Sequence, residues 1–245
     1  NPSRQGAAVP RGYLRVLQGG EERPFDAVGS GRLELARAIV SRDNPLTARV
    51  VVNRVWMHHF GEPLVKSPAD FGARSEPPEN PELLDWLASE FMDSGWSWKH
   101  LHRLIVGSAA FQQGGRGAGT AAEAGVDTDP DNRLLWHYPR RRLDLEAMRD
   151  GMLAVSGRLD TSLGGRPVDA AGDGANARRT VYGLVDRQNL PGLYRAFDFA
   201  APDQCVERRP RTTVPQQALF AMNSPFAMEQ ARALAGLARA EGGLE

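Results

Sequence analysis

Two acidic side chains, Glu146 and Asp150, lie four positions apart in a segment with helical periodicity. That spacing places both carboxylates on one face of a helix, and a pair of carboxyl groups is what glycoside hydrolysis requires. Arg142 precedes Glu146 by four positions, and Arg149 lies between the two acids. Positive neighbours favour the ionised form, whereas a general acid needs a raised pKa. The favoured interpretation is a salt-bridged helix surface, or an inter-helix clamp to the arginines at 140–142.

Other candidates would have to converge from distant parts of the chain. Asp70 with His102 is a second acid–base combination. Two basic runs could hold an anionic sugar through charge-assisted hydrogen bonds; their arginines are Arg141, Arg142, Arg208 and Arg209. The single cysteine, Cys205, is predicted to be a small buried residue rather than a nucleophile, because no histidine is close in sequence to act as its base.

The histidines form two close pairs, His58 with His59 and His100 with His102. On a helix, adjacent residues point about 100° apart and residues two apart about 200° apart, so neither pair can converge on one ion by itself. No His-Glu-x-x-His or Cys-x-x-Cys motif is present. We therefore predict no metal site and no cofactor in this segment, and partly buried, hydrogen-bonded histidines instead.

The tryptophans could provide stacking surfaces for a sugar. Trp56 and Trp86 fall on apolar helix faces and are predicted to be core residues. Trp96 and Trp98 flank a serine at a predicted helix start, so they are the better candidates for an exposed binding platform.

The elements that must position these residues are mainly helices. A first helix is predicted over residues 30–42, with one broad buried face formed by Leu33, Leu35, Ala36, Ile39 and Val40. A second is predicted over residues 45–60, with Asn44 as its cap. Within it, Arg49 and Asn53 are predicted to satisfy loop carbonyl groups rather than to bind a ligand.

Prolines that follow a polar residue or end a loop predict helices beginning at Pro81, Pro215 and Pro225. Apolar periodicity adds helices from Ser97 and over residues 143–159. Weak alternation predicts short strands over residues 12–17 and 180–185. The predicted fold class is mainly α, a helical domain with long ordered loops and a small β element.

Residues 114–128 carry no apolar side chain larger than Val126 and are predicted to be a flexible linker or loop. They divide the chain into a tail (1–23), a helical lobe (24–113) and a second helical lobe with short strands (129–245), packed on the first. The 30 basic and 30 acidic side chains cancel, so nucleic acid is not an expected partner. No apolar run approaches the roughly 20 residues of a membrane span.

Several long strings occur in the order typical of one family. Among them are NPLTARVVVNRVWMHHFG (44–61), SPADFG (67–72), NPELLDWLASEF (80–91), DSGWSWKHLHRLIVGSAAFQ (93–112), DPDNRLLWHYPRRRLDLEAMRDGMLAVSGRLD (129–160), RRTVYGLV (178–185) and CVERRPRTTVPQQALFAMNSPF (205–226). On these strings the chain closely resembles the planctomycete-type domain of unknown function 1553, over about residues 24–240.

The resemblance implies the C-terminal domain of an exported protein of the periplasm or cell envelope, often with a cytochrome c domain upstream. An asparagine in first position fits that expectation. The partners to be expected are the upstream domains of the same polypeptide and a glycan, and any redox role would belong to the upstream part. Because no coherent catalytic constellation is evident, a binding or scaffolding module is favoured. The alternative is a hydrolase or lyase that acts on an anionic glycan through the carboxylate pair.

Overall fold

A computed structural model describes residues 6, 9–21, 23–25, 29–115, 125–172 and 176–240. Over these residues the chain is mainly α, as the sequence predicts. Contacts divide the chain into two compact units, residues 1–140 and 141–245. Of the predicted linker, residues 116–124 lie outside the described part, and residues 125–128 are helical.

The first unit is built on helices α1 (Arg32–Ile39), α2 (Thr47–Phe60), α3 (Pro81–Asp93), α4 (Trp98–Val106) and α5 (Ala109–Gln112). Helix α2 packs against both α3 and α4. Their apolar faces form one core, which includes Val52, Val55, Phe60, Leu84, Leu87, Phe91, Leu101 and Ile105. Burial of these side chains is the main favourable contribution to the stability of this unit.

The boundaries of α2 follow from two residues. Asn44 is buried, its Oδ1 accepts from the Leu46 amide at 3.0 Å, and its Nδ2 donates to the Ile39 carbonyl at 3.0 Å. The amide of Asn44 therefore joins the end of α1 to the start of α2. The helix ends where Gly61 takes a left-handed φ of 91°, which a residue with a Cβ adopts only at a cost.

The predicted buried face of α1 is wrong. Leu33, Leu35, Ile39 and Val40 are all exposed, and α1 carries no buried residue. Leu33 and Leu35 are two positions apart, so they point in nearly opposite directions around a helix. Periodicity indicated an apolar surface, but it could not indicate whether a neighbouring element covers that surface.

The second unit contains α6 (Leu145–Val155), α7 (Gly192–Ala196), α8 (Pro215–Asn223) and α9 (Pro225–Ala240). Helix α9 packs against α6 and α8. Helices α8 and α9 begin at the predicted prolines, and Ser224 caps α9 by accepting from the Ala227 amide at 3.0 Å. The core of this unit is small and centres on Leu145, Leu190, Tyr194 and Phe197.

The predicted β element is reduced to isolated bridges among the described residues. They join Gly12 to Pro24, Asp160 to Arg178 and Val168 to Gly183. The strand predictions over 12–17 and 180–185 are wrong, because each segment contains a 3-10 turn, at Arg15–Gln18 and Thr180–Tyr182. A segment with alternating side chains becomes a strand only when a neighbouring segment pairs with it along its length. No helix over the described residues is long and apolar enough to cross a membrane.

Candidate functional site

The first unit carries an open groove of about 440 Å³. Its lining residues are Lys66, Glu76, Pro77, Pro78, Glu79 and Arg133. The four charged side chains form two pairs of opposite sign: Lys66 Nζ lies 3.4 Å from Glu76 Oε2, and the Arg133 guanidinium contacts Glu79. The groove therefore presents two cations and two carboxylates around a rigid pair of prolines.

One wall of the groove is held by Asn53, a side chain of α2 that is 0% exposed. Its Nδ2 donates to the Val65 carbonyl at 3.0 Å, and its Oδ1 accepts from the Val65 amide at 2.9 Å. This fixes the backbone next to Lys66. The prediction that Asn53 satisfies loop backbone is confirmed, and Arg49 does the same by donating to the Pro45 carbonyl at 2.6 Å.

Asp70, a candidate catalytic acid, lies in the exposed loop between Lys66 and Glu76. Its Oδ1 accepts from the Gly72 amide at 2.8 Å, which closes a local turn. Ser67 and Ser75 Oγ atoms lie 2.5 Å apart across the same loop. No hydrogen bond or ion pair joins Asp70 to His102 within the part of the chain that the structure describes. The local role of Asp70 is to shape the loop.

Arg133, which also lines the groove, belongs to the segment 129–138. Asp129 is buried, and its two carboxylate oxygens accept from the Arg133 and Leu134 amides, each at 2.8 Å. Asn132 holds both polar backbone groups of His137: its Nδ2 donates to the carbonyl at 2.9 Å, and its Oδ1 accepts from the amide at 3.3 Å.

Two residues of this segment have left-handed backbone conformations. The φ angles of Asn132 and Leu135 are both 53°. Asparagine tolerates this region, but a leucine there is uncommon and costs of order 1–3 kcal/mol. The Leu135 side chain packs against the core of the first unit, which compensates for the backbone strain. Strained residues of this kind cluster at binding sites because the surrounding contacts hold them in place.

The chemistry of the groove is that of paired charges. Each carboxylate lies beside a cation, and the two carboxylates belong to separate ion pairs. The oxygens of Glu76 and Glu79 accept hydrogen bonds, and the nitrogens of Lys66 and Arg133 donate them. The groove can therefore bind a ligand that donates and accepts at adjacent positions.

In the second unit, the predicted catalytic carboxylates contact separate partners. Glu146 forms a two-point pair with Arg209, in which Nη1 lies 3.0 Å from Oε2 and Nη2 lies 2.8 Å from Oε1. The Arg209 guanidinium also lies over the Phe199 ring, 4.4 Å from its centre. Burial lowers the pKa of Arg209, but the hydrogen bond and charge of Glu146 outweigh it, so the net pKa is raised.

Asp150 faces a different part of this unit. Its Oδ1 accepts from the Thr180 amide at 2.7 Å and from the Thr180 hydroxyl at 2.6 Å, and its Oδ2 lies 3.5 Å from Arg179 Nε. The neighbouring Arg149 is buried and donates to the Arg178 carbonyl at 2.9 Å and to the Asn176 carbonyl. Burial lowers the pKa of Arg149, and the charge of Asp150 opposes that change.

Two of the four arginines predicted to bind an anionic sugar, Arg142 and Arg209, form internal ion pairs instead. Arg142 Nη2 lies 2.6 Å from Asp198 Oδ2, and its guanidinium lies over Phe197. Asp198 accepts as well from the amide and hydroxyl of Thr212, at 2.9 and 2.7 Å. An arginine of the 140–142 run therefore does form a clamp, but to Asp198 rather than to Glu146 or Asp150. Of the other predicted residues, Arg141 and Arg208 are exposed.

A family model, PSD1, described as a protein of unknown function (DUF1553), matches residues 31–242. The chain belongs to the PSD1 family. No curated protein and no solved structure matches it. The family description states no activity, so the function of this PSD1 domain must be argued from its own geometry.

The histidines of the PSD1 domain are arranged in a way that the sequence did not reveal. His59 Nε2 on α2 lies 2.7 Å from His102 Nδ1 on α4, while His100 Nε2 lies 3.4 Å from Glu90 Oε2. His100 and His102 thus have different partners, as expected for residues two apart on a helix. His59 from the first pair of histidines and His102 from the second thus meet between α2 and α4.

Besides the apolar face of α1, the predicted burial of Trp86 and Cys205 is wrong. Trp86, predicted to be core, is 50% exposed, because the buried face of α3 consists of Leu84, Leu87, Ala88 and Phe91. Trp86 lies about 200° around the helix from Leu84, outside that face. Cys205, predicted to be buried, is exposed.

Trp56 is buried, as predicted. Of the two platform candidates, Trp98 is 55% exposed, whereas Trp96 packs edge-on against Phe91 with ring centres 5.3 Å apart. Trp98 also contacts Phe91 at 5.9 Å, so one of its edges is anchored on the core of the first unit.

The groove residues of the PSD1 domain were not among the candidates from the sequence. Two weak signals point to them: the string Glu-Pro-Pro-Glu at 76–79, and Asp129 with Asn132, which are residue types that bind backbone groups in loops. Neither signal indicates that Arg133 would meet Glu79, because 53 residues separate them in sequence and the contact depends on the fold.

Proposed function

We propose that this PSD1 domain is a non-catalytic binding module whose groove takes a neutral, polyhydroxylated ligand, a glycan. The proposal rests on the groove and its charges. Lys66 is paired with Glu76, Arg133 is paired with Glu79, and the two pairs surround the prolines at 77 and 78. The strained and heavily hydrogen-bonded segment 129–138 holds one side of it.

The charge pattern favours a neutral sugar. A sugar hydroxyl donates one hydrogen bond and accepts others, so it can bridge a carboxylate and an adjacent cation. The two carboxylates cancel the two cations in this groove, so an anionic ligand would gain from Lys66 and Arg133 but be repelled by Glu76 and Glu79.

The contacts of the second unit support binding over hydrolysis. A glycosidase needs two carboxyl groups that face one glycosidic bond, with one of them protonated. Glu146 is paired with Arg209, and Asp150 with Thr180 and Arg179, so the two carboxylates are bonded to different internal partners rather than facing one glycosidic bond. A hydrolase or lyase that acts on an anionic glycan through these acids is the competing hypothesis, and the experiment below separates the two.

We further propose that the module works as part of an exported protein of the cell envelope, downstream of a cytochrome c domain. The support for this is the family resemblance of the strings at 44–61, 93–112 and 205–226. In that setting a glycan-binding module would anchor the redox domains to a polysaccharide.

The test is a panel of neutral, uronic and sulfated glycans, assayed by melting shift and by product release. We expect neutral oligosaccharides to raise the melting temperature without releasing products. Arg133→Ala should weaken binding at least tenfold, whereas Arg158→Ala should not. Arg158 is a matched control, because it forms an ion pair with Glu229 at similar exposure, 44% against 44% for Arg133.

Two results would overturn the proposal. Release of products from any glycan, lost in Glu146→Gln or Asp150→Asn, would establish the hydrolase or lyase instead. A melting shift that is unchanged in Arg133→Ala would remove the groove as the binding site. Glu79→Gln serves as a second groove variant, because it keeps the shape of the side chain while removing its charge.

A further inference from the structure

The contact between His59 and His102 joins the C-terminal part of α2 to α4. Their facing nitrogens are 2.7 Å apart, and their ring centres are 5.0 Å apart with planes inclined by 69°. The difference between the two distances is about two ring radii, so the nitrogens point almost directly at each other. In this arrangement one nitrogen donates its N–H in a hydrogen bond, and the other nitrogen accepts that bond.

The 5.0 Å between the ring centres is the spacing of two imidazoles on one tetrahedral or octahedral ion, about 4.5–5.2 Å, although the nitrogens point at each other rather than at a common point. Zinc-bound imidazole nitrogens lie about 2.0–2.1 Å from the metal, so two that share a tetrahedral or octahedral ion are about 2.9–3.4 Å apart. Each ring would have to turn by roughly 35–45°, so that the two lone pairs meet at the ion at the 90–110° angle of an octahedral or tetrahedral site. The donor ring then carries its proton on its other nitrogen, so both imidazoles bind in the neutral form.

The surroundings make one ligand fixed and the other accessible. The Tyr138 hydroxyl donates to the His59 carbonyl at 2.8 Å, and the Phe111 ring lies edge-on to the His59 ring at 5.5 Å. His59 is half-buried, whereas His102 is exposed. A rigid ligand reduces the entropy lost on binding, and the exposed side leaves room for water in the remaining coordination positions.

We propose that His59 and His102 form a two-histidine site for a divalent transition metal such as Zn²⁺, Ni²⁺ or Cu²⁺. Imidazole is a preferred ligand of these ions, in contrast to Mg²⁺ and Ca²⁺, which prefer oxygen. The described residues hold no convergent group of three or more His, Cys, Asp or Glu side chains, so water completes the coordination. The site is separate in its residues from the groove and does not depend on the glycan proposal.

The prediction is tested on the 245-residue chain, purified without a histidine tag and treated with a chelator. Calorimetric titration with ZnCl₂ or NiCl₂ at pH 7.5 should give one ion per chain, and the ion should raise the melting temperature by linkage. MgCl₂ should give neither effect.

Single-residue variants test whether His59 and His102 are the metal ligands. His102→Ala, at an exposed position, should weaken metal binding at least tenfold, and His59→Gln should do the same. His58→Ala and His100→Ala are matched controls, because they remove the sequence neighbours and should leave the affinity within twofold. If the wild type binds no Zn²⁺, or if His102→Ala binds as tightly as the wild type, the pair is a hydrogen bond only and the proposal fails.

Discussion

Asn53 bonds to the backbone of Val65 through both ends of its amide, in the way that one β-strand residue bonds to another. The donor distance is 3.0 Å and the acceptor distance is 2.9 Å. A side chain of α2 thus replaces the strand partner that the loop after α2 lacks. Because both groups are buried, the pair also satisfies backbone atoms that water cannot reach.

Asn53→Leu should destabilise the domain strongly. Leucine has the same number of side-chain heavy atoms as asparagine, branched at the same carbon, but it leaves the amide and carbonyl of Val65 buried without partners. The expected loss is about 2–4 kcal/mol in the free energy of unfolding, measured by urea denaturation.

Asn80→Ala is the control for this variant. Asn80 precedes α3 but makes no side-chain capping bond, so the change should cost less than about 0.5 kcal/mol. A loss in Asn53→Leu no larger than that of the control would contradict the role of Asn53.

Asp150→Ala should lower stability by about 1–3 kcal/mol, because the amide of buried Thr180 loses its acceptor. Glu229→Ala is the matched surface variant: its ion pair with Arg158 is nearly half exposed, so at most about 1 kcal/mol should be lost. Thermal melting of both variants provides the comparison. Equal melting temperatures for the two would show that Asp150 does not support the turn at Thr180–Tyr182.

Tyr194 should make the domain sensitive to alkali. Burial raises the pKa of its hydroxyl, the charge of Arg149 opposes that change, and the net pKa lies above the ordinary value near 10. The folded state therefore binds this proton more tightly than the unfolded chain does. The resulting contribution to stability is fully present below about pH 10 and is lost as pH rises through the folded-state pKa.

The measurement compares the wild type with Tyr194→Phe in urea between pH 8 and pH 11. The difference in unfolding free energy between the two proteins should be constant up to about pH 10 and then fall for the wild type. If the unfolding free energies of the two proteins changed in parallel from pH 8 to pH 11, the Tyr194 hydroxyl would ionise equally in the folded and unfolded states.

The helices that begin with proline were predictable to the residue. Pro81, Pro215 and Pro225 occupy first-turn positions where their missing amide costs nothing, so the local sequence alone determines those starts. By contrast, the exposure of Trp86 depends on which face of α3 meets α2, and the exposure of the apolar side chains of α1 depends on whether another element covers them. Both depend on tertiary packing, which the periodicity of about 11 to 18 neighbouring residues does not reveal.

The candidate sites show the same division. The sequence indicated that Glu146 would be paired with an arginine, and it is, but the partner is Arg209 rather than a member of the nearby run. It also indicated that two histidines close together on one helix diverge. It could not indicate that His59 and His102, 43 residues apart, would meet across α2 and α4, since that contact follows from helix packing.

The left-handed backbone at Asn132 and Leu135 has a consequence for the kinetics and heat of binding. The conformational entropy of this wall is lost during folding, so a ligand that enters the groove does not have to order it. Association should therefore be a single second-order step, with a small heat-capacity change set by the surface that the sugar covers. A slow phase independent of ligand concentration, the signature of a wall that rearranges, is not expected.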